Sequence, residues 1–356
     1  MTDLPTFLTK ACTAVAPLDE ECMAAARARQ EQLTKPPGSL GRLEALSIQL
    51  AGITAQPQPR VDRKAIIVLA ADHGVVDEGV SAYPSEVTAQ MVFNFLGGGA
   101  AINVLARQAG ARVIVADLGV AADLPAHPDL LDCKIARRTA SFLRGPAMSR
   151  EQAARSILTG IEIVAAEADK GLDLVATGEM GIGNTTPASA IAAVYTGLLV
   201  AEVTGRGTGV DDDGLARKVS VIEAALDLHQ PDPADPLGVL SAVGGFEIGA
   251  IAGVCLGAAA RRLPVIIDGF ISAAGALIAA ALCPAVRDYF VASHLSVERG
   301  HGPVWDVLGL QPLLDLDLRL GEGTGAVLSM HLAEAACRIL SEMATFAEAG
   351  VSGPQE

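Results

Sequence analysis

Aromatic side chains are scarce in this 356-residue chain, with one Trp, three Tyr and eight Phe making up 3% of it. A core with so few rings has to be filled by Ala, Gly, Val and Leu, which suits helices packed closely against a parallel sheet. Charge is also sparse, at 19% against 51% hydrophobic residues, and this excludes a disordered chain. Basic residues are the scarcer sign: 26 Lys and Arg face 41 Asp and Glu, a net charge of −15. That balance excludes nucleic acid and anionic membrane as partners, because both are bound through Lys and Arg. It does not exclude a small phosphorylated ligand, which needs only a local cradle of amides and one lysine. The six cysteines lie far apart with no CxxC pair, so they read as reduced thiols of a cytosolic protein, and no zinc site is expected on them. The opening MTDLPTFLTK has no basic region followed by an apolar stretch, so no secretory leader is expected.

The most membrane-like stretch, residues 264–283, is interrupted by Asp268 and Gly269. It reads as a short strand, 265–267, followed by a buried helix, 271–282, in a soluble, cytoplasmic protein. Elsewhere, short apolar runs alternate with helical patterns. The runs are 65–71, 113–116, 172–176, 265–267 and 289–292, and the helices include 85–109, 150–168, 187–199, 214–228 and 247–260. Two further helices, 11–32 and 40–50, precede a proline-spaced linker at 56–60, and a last amphipathic helix spans about 325–347. Strand–helix alternation predicts an α/β fold with a parallel sheet covered on both faces. A large α/β domain is expected over 60–296, with a smaller, mainly helical domain built from 1–59 and 297–356.

Ligands of such sheets bind beyond the carboxyl ends of the strands. There the sequence places Asp72-His73-Gly74, Asp117-Leu118-Gly119, Thr177-Gly178-Glu179, Asp268-Gly269 and Ser293-His294-Leu295-Ser296. Gly178-Glu179-Met180-Gly181-Ile182-Gly183-Asn184-Thr185-Thr186-Pro187 follows a strand and opens a helix. Its glycines admit close backbone approach, and free helix-start amides favour an anion. Thr204-Gly205-Arg206-Gly207-Thr208-Gly209, with Lys218 on the following helix, supplies the ingredients of a second phosphate cradle. Neither loop matches GxxxxGK[ST] or GxGxxG. Leu320-Gly321-Glu322-Gly323-Thr324-Gly325 frames a carboxylate between glycines, which leaves room for a ligand beside a general base. Asp72 and His73 could ligate a metal, but no second histidine follows at ligand spacing. His127, His229 and His331 belong to no motif.

These segments, with Lys35-Pro36-Pro37-Gly38-Ser39-Leu40-Gly41 and Ala71-Asp72-His73-Gly74-Val75, occur in the order found in the nicotinate-nucleotide–dimethylbenzimidazole phosphoribosyltransferase family. The chain closely resembles that family from about Lys35 to the C-terminal helix. The resemblance implies a Rossmann-like α/β domain with a small helical domain, a homodimer, and small-molecule substrates with no cofactor and no metal. It implies transfer of the 5-phosphoribosyl group of nicotinate mononucleotide to 5,6-dimethylbenzimidazole, with inversion at C1′, giving α-ribazole 5′-phosphate and nicotinate. Carried over, Glu322 is the general base and Glu179 a supporting carboxylate. Gly181, Gly183, Asn184, Gly207, Thr208 and Lys218 hold the phosphate. Asp268 and Ser296 contact ribose or nicotinate, and Tyr83, Pro84, Ser85 and Val87 form the benzimidazole pocket. Other readings are a nucleotide-binding regulator without turnover, a nicotinamide-linked oxidoreductase, and a metal-dependent phosphohydrolase using Asp72, His73 and Asp117.

Overall fold

Six parallel strands form the central sheet of the computed structural model, which describes residues 4–352. They are β1 (Lys64–Ala71), β2 (Ala111–Gly119), β3 (Leu130–Asp132), β4 (Leu174–Met180), β5 (Val265–Ile267) and β6 (Phe290–Ala292), in the order β3-β2-β1-β4-β5-β6. The chain therefore runs outward from β1 to one edge and returns to the other side of β1 at β4. That reversal is a topological switch point, and it opens a crevice between the carboxyl ends of β1 and β4. Register carries the two ends to the same level, since Leu69 pairs with Glu179 and Ala70 with Met180.

Strand β1 is buried along its whole length, and its side chains divide between two cores. Ala65, Ile67 and Leu69 face one layer, which includes helices Arg150–Asp169, Phe246–Ala259 and Phe270–Leu282. Ile66, Val68 and Ala70 face the other, with Leu50, Val92, Ile102 and Met330. The alternation follows from the two-residue period of a strand. Small residues set the packing distance. Gly160 and Gly253 lie where the first two of these helices cross, and a Cβ on either would collide with backbone carbonyl oxygen of the other helix.

Several sequence expectations need correction. The predicted helix 85–109 is two helices, Glu86–Leu96 and Ala101–Ala109, separated at Gly97-Gly98-Gly99. Asn103 closes the break, its amide donating to Phe95 O and its Oδ1 accepting from Ala100 N. By length and composition this segment could cross a bilayer, but neither piece, at 11 and 9 residues, is long enough alone. The predicted helix 11–32 divides into Leu4–Thr13 and Glu20–Gln32, the second capped by Asp19, whose Oδ1 accepts from Cys22 N at 2.8 Å. Likewise 325–347 ends at Glu342, and a separate turn, Phe346–Ala349, follows. Strand β3 escapes the apolar-run pattern because it is a three-residue edge strand with no fully buried position. The stretch 264–283 is the expected strand, β5, and a helix buried along nearly all its length.

Candidate active site

The last long helix, Thr324–Glu342, begins directly beyond the carboxyl ends of β4 and β5. Its approach is unusual, because Gly321, Glu322 and Gly323 all adopt positive φ, at 85°, 62° and 95°. A left-handed Glu is costly, and flanking glycines make the run feasible. Two features hold it there. Asp268, at the end of β5, accepts from Gly323 N at 3.1 Å through Oδ2 and from Ala326 N at 2.9 Å through Oδ1. Gly178 of β4 permits close approach from the other side, since a Cβ there would sit 2.5 Å from Glu322 O.

The turn brings Glu322 and Glu179 to one place. Both are buried, and Gly321 passes so near Glu179 Oε1 that any side chain at 321 would collide with it. Glu322 Oε2 accepts from Ile102 N at 3.2 Å, an amide in the first turn of helix Ala101–Ala109. Glu179 Oε2 accepts from the Asn184 side-chain amide. Burial pushes the Glu179 carboxyl up to about 8, against the Asn184 hydrogen bond and with help from Asp268, Glu247 and Glu322. Burial also raises Glu322, with Ile102 N opposing and Asp268 assisting. Asp268 is raised by burial too. The site is thus a cluster of desolvated carboxylates that favours protons or a cation.

Beside it, Glu179, Gly181, Asn184, Gly207, Thr208 and Ser296 line one cleft. Gly183 adopts φ 86° and packs on Val76 just behind. Lys218 lies under the cleft floor, fully buried, donating to Thr185 Oγ1 at 2.6 Å and Gly205 O at 3.2 Å. Burial lowers its ammonium to about 8, with Glu298 opposing. Asp268 stands behind the Glu322 turn with both oxygens engaged by amides. Tyr83 and Pro84 are exposed on the loop before helix Glu86–Leu96, with Ser85 and Val87 partly buried next to them. That helix meets the cleft through Thr88, whose Oγ1 accepts from Ile182 N at 3.0 Å.

Sequence reasoning assigns no role to His294, Glu298 or Arg319, which share the cleft. His294 belongs to a polar strand end already marked, but nothing local distinguishes it. Glu298 and Arg319 carry no local signal at all; folding brings them in. A hint exists at Gly205, where a Cβ would collide with Glu298 Oε2.

The sequence model of a family described as phosphoribosyltransferase matches residues 15–351. A nicotinate-nucleotide–dimethylbenzimidazole phosphoribosyltransferase of Chloroflexus aggregans is 64% identical over 350 residues, 98% of this chain and 99% of that one. The chain belongs to the nicotinate-nucleotide–dimethylbenzimidazole phosphoribosyltransferase family. A relative of that name from Geobacter sulfurreducens is 56% identical, covering 98% of this chain and 99% of its own. The crystal structure of CobT from Thermus thermophilus superposes with a TM-score of 0.90 at 51% identity, over 94% of this chain and all of that one. Family and fold agree with the resemblance seen in the motifs, and they make the chain a transferase.

Proposed function

We propose that this chain transfers the 5-phosphoribosyl group of nicotinate mononucleotide to 5,6-dimethylbenzimidazole, releasing nicotinate and forming α-ribazole 5′-phosphate with inversion at C1′. The observation that carries the reading is the meeting of Glu322 and Glu179, both buried, beside a glycine-lined cleft with Lys218 under its floor. The amides and the lysine suit a phosphate. The carboxylates suit the cationic pyridinium of the donor, whose charge they neutralise in a low-dielectric setting.

In this mechanism Glu322 removes the azole N–H proton while the other ring nitrogen attacks C1′ from the face opposite nicotinate. The C1′–N bond to nicotinate breaks, and its electron pair returns to the pyridine ring, which leaves without its positive charge. No acid is needed for that departure. Glu179 stabilises positive charge developing at C1′. Gly181, Gly183, Asn184, Gly207 and Thr208 hold the phosphate with Lys218, Ser296 contacts ribose or nicotinate, and Tyr83, Pro84, Ser85 and Val87 flank the azole. Asp268, for which the resemblance implies that same ribose or nicotinate contact, acts instead through the Glu322 turn. The homodimer, the cytoplasmic location and the division into 60–296 and the two terminal segments belong to the same proposal.

Nicotinate release from the two substrates tests it. Glu322→Gln keeps the acceptor oxygen for Ile102 N but loses the base, so kcat should fall by about 10²–10⁴-fold while nicotinate mononucleotide still binds. Turnover at the native rate in this variant refutes the general-base role, and no turnover in the native protein refutes the activity.

A further inference from the structure

Outside the cleft lining, next to Gly181 of its wall, lies a buried pair that the mechanism above does not use. His73 follows β1, and Glu247 sits in the first turn of helix Phe246–Ala259. Nε2 of His73 lies 2.7 Å from Glu247 Oε1, and both side chains are sealed from solvent, at 1% and 0% exposure. Two glycines are shaped around the pair. A Cβ on Gly245 would collide with the His73 ring and lie 2.7 Å from Glu247 Oε2. A Cβ on Gly181, in the cleft wall, would lie 3.2 Å from His73 Nε2 and 3.4 Å from Asn184 Nδ2. His73 and Asn184 thus press on the same face of Gly181, and Asn184 in turn donates to Glu179. Among the described residues, Glu247 Oε2 has no hydrogen-bond partner, and neither does Asp72 Oδ1, one residue from His73. A second contact runs alongside: Thr88 accepts from Ile182 N, and its hydroxyl favours the charged form of Asp72.

Burying five carboxyl groups (Asp72, Glu179, Glu247, Asp268 and Glu322) in one neighbourhood is expensive unless it serves the site. We propose that His73 and Glu247 are positioning residues for the transfer site: the pair braces the Gly181–Asn184 turn, holds Asn184 against Glu179, and sets a carboxylate near Glu179. The inference rests on the reading of Glu179 as a site carboxylate. The ionisable groups acting on Glu179 are Glu247 from the helix, Asp268 from the end of β5 and Glu322 from the glycine turn, and His294, Glu298 and Arg319 line the same cleft. Those facing the pair are Glu179 and, from the end of β1, Asp72. Glu247 opposes ionisation of Glu179, and His73 holds Glu247 in place through their hydrogen bond. Removing the Glu247 carboxylate should therefore lower the midpoint of Glu179, which a merely structural residue would not do.

The test follows nicotinate release against pH in native protein, Glu247→Gln, His73→Leu and His73→Gln. Since Glu179 acts as an anion, activity is lost as pH falls through its midpoint. Glu247→Gln should lower that midpoint by about half a pH unit or more, and His73→Leu, which leaves Glu247 without its brace, should shift it as well. His73→Gln, whose amide still reaches Glu247, should restore the native midpoint. Carbon-13 titration of the Glu179 carboxyl, identified by its loss in Glu179→Gln, reads the same midpoint without turnover. If native protein shows no turnover, the activity fails but the titration still decides the pairing. If His73→Leu does not fold, Glu247→Gln decides alone. A Glu179 midpoint unmoved by Glu247→Gln, or moved upward, overturns the proposal.

Discussion

Gly178 offers a way to displace the proposed base without touching it. Its Cβ, if added, would lie 2.5 Å from Glu322 O, 2.9 Å from Glu322 C and 3.1 Å from Gly323 N, all backbone atoms. Ordinary contact starts near 3.4 Å, so Gly178→Ala must push the Glu322 turn away by about 0.9 Å. The turn has little freedom to absorb this, because Asp268 holds Gly323 N and Ala326 N and Ile66 lies against Gly323. A base displaced by nearly an ångström loses on the order of 10²-fold in rate, or about 2.7 kcal/mol. Overpacking should also cost roughly 1–3 kcal/mol of stability, visible as a lower Tm. The assay is steady-state nicotinate release at saturating acceptor, with a thermal melt of the same preparation. Because Gly181 and Gly207 are not part of the displaced Glu322 turn, KM for nicotinate mononucleotide should move far less than kcat. A Gly178→Ala enzyme within about twofold of native kcat, with an unchanged melt, would refute the claim that this turn sets the geometry of Glu322.

Two more outcomes follow from burial. Glu179 titrates near 8 in the fold against an ordinary 4.5, so the folded chain holds a proton that the unfolded chain has released across that interval. Its contribution to stability is complete below about pH 4.5 and is lost as pH rises through 8, at about 1.4 kcal/mol per unit as an upper bound. Glu179→Gln should flatten the fall in Tm between these limits, and a profile parallel to native would contradict it. Lys218→Met should raise KM for nicotinate mononucleotide by about tenfold or more, while the nucleoside lacking the phosphate is handled as before. Equal effects on both donors would remove Lys218 from the phosphate site.

Much of this protein was legible along the chain. Strand–helix alternation and doubly buried apolar runs determined a parallel α/β sheet, because strand period and burial are written locally. The glycine frames around Glu179 and Glu322 were equally visible, since positive φ and close approach leave few other residues tolerable. What the sequence could not order was distance. That Gly321 lies against Glu179, that Ile102 N meets Glu322, and that Asp268 caps the last long helix are matters of which strand ends and helix starts adjoin around β4 and β5. Glu247, Glu298 and Arg319 carry no local mark, and His73 was visible only as a strand-end residue, because its pairing with Glu247 spans 174 residues. Short apolar pieces misled in the other direction. Three glycines divided one long helical pattern at 97–99, and a three-residue edge strand escaped notice because its stability comes from the neighbour it pairs with. Composition and period thus decided the kind of fold and named two carboxylates, whereas tertiary packing decided that they share one desolvated site, since only burial beside each other gives them their chemistry.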